Sequence, residues 1–218
     1  MKKILLIMLS TVMCIGLTAC GCNHENAEWN MVGVDYVSAL EEYEKKCPDC
    51  GENIDVKFEP LENLVNGTEF FLTPDEFGAR MDNKFEKYLE DYLGDTDIVV
   101  SSGYTYDENG NFCYNLVKEG ETFATIYLMN LADKPSVQEY DHFQMACAVL
   151  QKDENELGNC MFHSVISTLD PAIDDEGIET IVDQIMENEY PYAEKNGLCY
   201  AVSEEEEIIS LYIGILDE

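Results

Sequence analysis

Residues 112–129 read FCYNLVKEGETFATIYLM. Both halves are rich in β-branched and aromatic residues, and Glu119-Gly120-Glu121 between them is turn chemistry by composition. Two such runs around a glycine-bearing break predict an antiparallel hairpin. Upstream, residues 98–106 have the same character, and Asp107-Glu108-Asn109-Gly110-Asn111 separates them from Phe112. Residues 98–129 therefore predict a three-strand meander.

Working outward, Ile54, Val56 and Phe58 alternate with polar residues and predict a strand that ends at Pro60. Thr73-Pro74-Asp75-Glu76 carries a helix N-terminus: a capping threonine, proline at the first helical position, and a glutamate placed to reach back. Phe77, Met81, Phe85, Tyr88, Leu89 and Tyr92 follow at helical spacing, and Gly94 stops the run. Ser136 and Glu139 form a second capping pair, predicting a helix to about Leu150 that buries Tyr140, Phe143, Ala146, Cys147 and Leu150. After a polar break at residues 153–159, helices are expected over residues 160–169 and from Asp174 or Asp175 through Ile178, Ile181, Val182 and Ile185. Residues 198–202 and 208–215 read as a closing hairpin around the acidic turn 203–207. The expected fold class is α+β: an antiparallel sheet, made of a three-strand meander plus a C-terminal hairpin, with helices packed on one face.

The N-terminus has a different character. Met1-Lys2-Lys3 is basic, and residues 4–19 are apolar apart from Ser10, Thr11 and Thr18. This is the pattern of a secretory signal, and it is short for a bilayer-spanning helix. Leu17-Thr18-Ala19-Cys20 then resembles the lipobox of bacterial lipoproteins. That resemblance covers the first 20 residues. It implies cleavage before Cys20, acylation of the Cys20 thiol, and a protein held to the lipid bilayer at the extracytoplasmic face of the cell membrane. The expected organisation is a signal peptide at 1–19, an acidic tether with a short helix and a CxxC turn at 20–52, and one α+β domain at 53–218. The tether helix is placed over residues 35–46, with Tyr36, Leu40 and Tyr43 on one side. Trp29 is expected to dock this segment, the alternative being a seat at the bilayer surface.

Forty-five acidic against twelve basic residues give a net charge of −33, and loss of the signal with its two lysines takes this to −35. A surface of that sign repels nucleic acid, whose phosphates need a basic partner. It favours solubility, cations or a basic partner. The 46% hydrophobic content sets the chain apart from a disordered acidic tail.

Cys47-Pro48-Asp49-Cys50-Gly51 is the most chemical stretch. It resembles one knuckle of a zinc ribbon or rubredoxin-type site, where C-P-x-C-G places two thiolates on one ion. Such sites need a second pair of ligands, and the chain has no second C-x-x-C. Cys22 and His24 are the nearest candidates and a poor substitute; distant cysteines brought in by the fold are the other source. Zinc on Cys47 and Cys50, a local disulfide between them, and a thiol-redox pair all remain open. Cys147 and Cys160 are expected to flank a helix–loop–helix and are the candidates for a longer staple. Cys160 and His163 lie one helical turn apart, but His142 and Cys147, five apart, do not share a helix face with each other, so packing is expected there. Asp107 to Asn111 fails as a calcium loop, since glycine is fourth rather than sixth and Lys118 replaces the closing glutamate. With no phosphate-binding glycine loop, H-E-x-x-H or G-x-S-x-G, no catalytic set is assigned. The functional expectation is a membrane-anchored, non-enzymatic module of the cell envelope that binds a protein or small ligand. The alternative is a metal-binding or thiol-redox module centred on Cys47 and Cys50.

Overall fold

The computed structural model describes residues 23–94, 98–130, 137, 141–152, 155–187 and 191–216. Cys20, Cys22, Ser136 and Glu139, and with them the lipobox and the second capping pair, lie outside the described residues.

A three-stranded antiparallel sheet comes first: β1 (Glu28–Asp35), β2 (Leu40–Lys46) and β3 (Asn53–Pro60), in that order. A two-residue pair follows, β4 (Val65–Asn66) with β5 (Glu69–Phe70), and then helix α1 (Pro74–Leu93). Next come β6 (Val100–Tyr106), β7 (Phe112–Lys118), β8 (Glu121–Met129), β9 (Met145–Gln151), α2 (Asn155–Leu169) and α3 (Asp175–Glu187). The chain closes with β10 (Tyr192–Lys195), β11 (Leu198–Glu204) and β12 (Ile208–Ile215). The second half forms one antiparallel seven-stranded sheet in the order β10-β11-β12-β9-β8-β7-β6. The fold class is α+β, as the sequence predicts.

Turn chemistry explains why the meander forms. Glu119 and Gly120 both have positive φ, 53° and 88°, the conformation a tight hairpin needs. At the other turn Asp107 accepts hydrogen bonds from the Asn109 and Asn111 amides, both at 2.8 Å, and from Asn111 Nδ2 at 3.0 Å. Its carboxylate is thus spent on its own loop. Helix α1 begins as expected: Thr73 N donates to Glu76 Oε2 at 2.8 Å, and Glu76 N donates to Thr73 Oγ1 at 3.4 Å.

The core lies between the helices and one face of the large sheet. Strand alternation sends Tyr114, Leu116, Ile126, Leu128, Ala146, Ala148, Leu150, Leu211 and Ile213 inward, where they join Phe77, Met81 and Phe85 of α1 and Ile166 of α2. α2 lies close against β9. A Cβ built on Gly158 would stand 2.4 Å from Leu150 Cδ2, so a larger residue there would force the buried Leu150 side chain to shift.

Two expected helices are strands. Residues 35–46 hold the end of β1, a turn and all of β2. Asp35 Oδ1 accepts from the amides of Val37 at 3.0 Å and Ser38 at 3.3 Å, and Ala39 takes φ +53°; this local turn outcompetes a helix start. The expected tether, 20–52, therefore contains two strands, and the division at 52/53 falls between β2 and its neighbour β3. The helix expected up to Leu150 is replaced by β9, whose apolar run MACAVL suits a strand flanked on both sides, by β8 and β12. Helix α2 begins at Asn155, inside the expected polar break.

Arg80 joins the two sheets' supports. It is 2% exposed, and its guanidinium donates to Thr168 O at 2.7 Å, Ser167 O at 3.2 Å and Val37 O at 3.1 Å. The first two are carbonyls at the end of α2, which have no partner within the helix. The third belongs to the β1–β2 turn. Burial lowers the pKa of Arg80 to about 10, against a smaller opposing effect of Asp35, so it stays charged at neutral pH. Replacing Arg80 by Met strands buried carbonyls, and the expected loss is about 3 kcal/mol in urea unfolding. Lysine, with one point charge in place of a planar fork, should restore less than half of it.

Candidate metal centre

The β1–β2 hairpin brings its own flanks together. Glu28 pairs with Lys46 at its open end, so the segment before β1 meets the segment after β2. His24 lies on the first segment, in a turn closed by a 3.1 Å bond from Ala27 N to His24 O. Cys47 and Cys50 lie on the second. There Gly51 N donates to Cys47 O at 2.8 Å and Cys47 N to Glu52 O at 3.0 Å, with Gly51 at φ +76°. This tight turn points both sulfurs to one side.

Among the described residues, His24, Cys47 and Cys50 form a cluster whose ligand atoms all lie within 4.8 Å of one another. Cys50 Sγ is 3.8 Å from His24 Nδ1. A tetrahedral ion with bonds of about 2.3 Å to sulfur and about 2.0 Å to nitrogen sets S and N roughly 3.5 Å apart. The observed spacing is a few tenths of an ångström wider than that. His24 Nε2, the other ring nitrogen, lies 3.6 Å from Glu52 Oε2. A carboxylate on the far nitrogen orients a ligating imidazole and raises its basicity. Cys47 is fully buried, while His24 and Cys50 are half-buried, so the cluster is sheltered yet reachable. Three protein donors leave one tetrahedral position for water or a further ligand.

The remaining cysteines differ in kind. No disulfide joins the described cysteines. The staple expected between Cys147 and Cys160 is not formed. Ala146, Ala148 and Leu150 turn toward the helices, so Cys147 points to the opposite face of the sheet, while Cys160 lies in the core among the helices. Burial pushes the Cys147 thiol up to about 11 and raises that of Cys113, which keeps both protonated and poor as ligands or nucleophiles.

His163, one turn from Cys160, sits in a packed aromatic and polar cluster. Its ring meets Tyr88 and Tyr92 of α1 edge-on, with centroids at 5.4 and 5.1 Å. Tyr88 Oη donates to Asp175 Oδ1 at 2.7 Å, and Lys87 Nζ reaches Asp175 at 3.3 Å. This is helix packing, as the sequence predicts.

The chain matches no family model, no curated protein and no solved structure. No helix among the described residues is long and apolar enough to cross a membrane.

His163 makes a pH prediction. Burial, first, and Lys87 lower its pKa, against an opposing effect of Asp175. The unfolded chain therefore takes up a proton before the native state does, and stability falls as pH drops below about 6.5. His163→Gln should flatten the difference in urea stability between about pH 7 and about pH 5 relative to the wild type.

Proposed function

We propose that this protein is an extracytoplasmic lipoprotein, anchored through Cys20, whose membrane-proximal sheet carries a zinc-class ion on His24, Cys47 and Cys50. One observation carries the metal reading: two thiols and an imidazole, 26 residues apart at the Cys50–His24 contact, bring their ligand atoms within 4.8 Å of one another. A disulfide or simple turn at Cys47–Cys50 gives no reason for an imidazole aimed at the sulfurs and backed by a carboxylate.

The sequence position of the cluster suggests its purpose. His24 follows Cys20 by four residues, which span at most about 14 Å when extended. An ion on His24 would tie the start of the chain to the β2–β3 turn, holding the domain at a set distance and orientation above the bilayer. In this reading the ion is structural, and the chain serves as a binding module of the envelope, free of assigned chemistry.

Native mass spectrometry of the exported protein tests it. One bound zinc adds about 63 Da after loss of two thiol protons. Cys50→Ser and His24→Ala should each lose that mass while keeping the far-UV spectrum of the fold. A denatured mass about 2 Da low, with no metal, would instead assign Cys47 and Cys50 to a disulfide. Separately, Cys20→Ala should abolish incorporation of labelled fatty acid and release the protein from membranes.

A further inference from the structure

The large sheet has two faces. Its inward residues pack with α1, α2 and α3 in a single core, and among the described residues no helix lies on the outer side. In a chain of net charge −33 that outer side is neutral at its centre. Residues 124–129, 145–150, 198–203 and 208–215, which make up most of β8, β9, β11 and β12, contain no charged residue. Tyr127, Met145, Val149 and Tyr212 point outward there and are half-buried, so each keeps part of its surface open.

The relief of this face is ordered. β9 and β12 lie side by side near its middle. Each outward pair across them joins a bulky residue to a small one: Met145 with Gly214, Cys147 with Tyr212, and Val149 with Ser210. The bulky member changes strand from one pair to the next. The flanking strands extend the pattern: on β8, Tyr127 borders Cys147, and on β11, Ala201 borders Tyr212. Along that row the sizes run large, small, large, small.

We infer that two copies of this chain pack through these outer faces, about a two-fold axis that runs along the strands between β9 and β12. Such an axis sets each β9 residue against the β12 residue it pairs with, now in the other copy. Met145 enters the gap left by the partner's Gly214, Tyr212 lies over the partner's Cys147, and Val149 meets the partner's Ser210. One strand further out, Tyr127 falls on the partner's Ala201. A two-fold joint demands this self-complementarity, whereas an unrelated partner does not. Charge selects the same face, since a joint through acidic surface would set like charges together. The six strands from β7 to β10, about 4.8 Å apart and about 20 Å long, give roughly 600 Å² in plan, on the scale of the roughly 800 Å² per partner of a stable dimer.

Sedimentation equilibrium of the full chain in density-matched detergent tests it. The expected mass is twice that of the monomer. The dimer should tighten from about 0.1 M to about 1 M salt, because screening relieves repulsion between two acidic copies while the neutral joint is untouched. Tyr127→Ser and Val149→Glu should each raise the dimer dissociation constant by about tenfold or more with the far-UV spectrum retained. Hydroxyl-radical footprinting of the unaltered chain needs no variant: Tyr127, Met145 and Tyr212 should be protected as concentration rises. A monomer under all these conditions, a dimer that loosens with salt, or protection confined to other residues would overturn the proposal. So would protection of the same three residues by neutral lipid vesicles without dimer, which assigns the face to a bilayer.

Discussion

A buried guanidinium holds this molecule together. Taking Arg80 out of water costs several kcal/mol, and three carbonyl acceptors together with the negative end of the α2 dipole offset that cost. The acceptors come from parts of the chain with little else in common: the end of α2 and the β1–β2 turn. Around this point the first sheet finds its seat, with Tyr36 stacked on Phe71 at 5.6 Å and Leu61 N bonded to Ala39 O at 2.9 Å. On the far side of the same helix end, Asp170 is held by Asn196 Nδ2 at 2.9 Å and Tyr200 Oη at 3.1 Å, which brings in the β10–β11 turn. The C-terminus of α2 is thus the junction at which the α1 side, the small sheet and the closing hairpin meet.

From that junction the small sheet extends as an arm. Arg80 grips the turn at one end of the β1–β2 hairpin, and the thiol–imidazole cluster lies at the other, about 20 Å away along a seven-residue strand. The arm is thinly covered: Met31, Val32, Val56 and Phe58 are all exposed. Lys57 lies over both Trp29 and Tyr43 at 4.9 Å, so part of its cohesion is cation–π contact across the strands rather than a core. A sheet with so little buried surface gains from a cross-link at its open end. A metal bridging His24 to Cys47 and Cys50 would supply one.

Much of the large sheet was legible in the sequence, because its signals are local. Glu119-Gly120, Asp107 to Asn111, the Thr73–Glu76 box and the alternation of residues 208–215 each specify their own geometry. The misreadings share a physical cause. Tyr36, Leu40 and Tyr43, and likewise Phe143, Ala146 and Leu150, fall at helical spacing, but Leu40 and Tyr43 lie on β2 and Ala146 and Leu150 on β9, strands paired on both sides, while Tyr36 and Phe143 lie just outside them. Pairing between distant segments decides such cases, and spacing along the chain does not record it. The candidate site inherited that blindness. Cys47 and Cys50 announce themselves, whereas His24, named with Cys22 as a poor substitute for a second pair, comes close only because residues 28–46 fold back as a hairpin. With residues 35–46 read as a helix, His24 stays away from the cysteines; with Glu28 paired to Lys46, it meets them. The close approach of α2 to β9 at Gly158, and the burial of Arg80, left no local signal at all.

X-ray absorption at the zinc edge, on protein loaded with one equivalent of the metal, tests the central claim most directly. A zinc held by His24, Cys47 and Cys50 gives a mixed shell of two sulfurs at about 2.3 Å and one imidazole nitrogen at about 2.0 Å, with a light atom in the fourth position. A shell of nitrogen and oxygen alone, or a protein that retains no zinc, would contradict it.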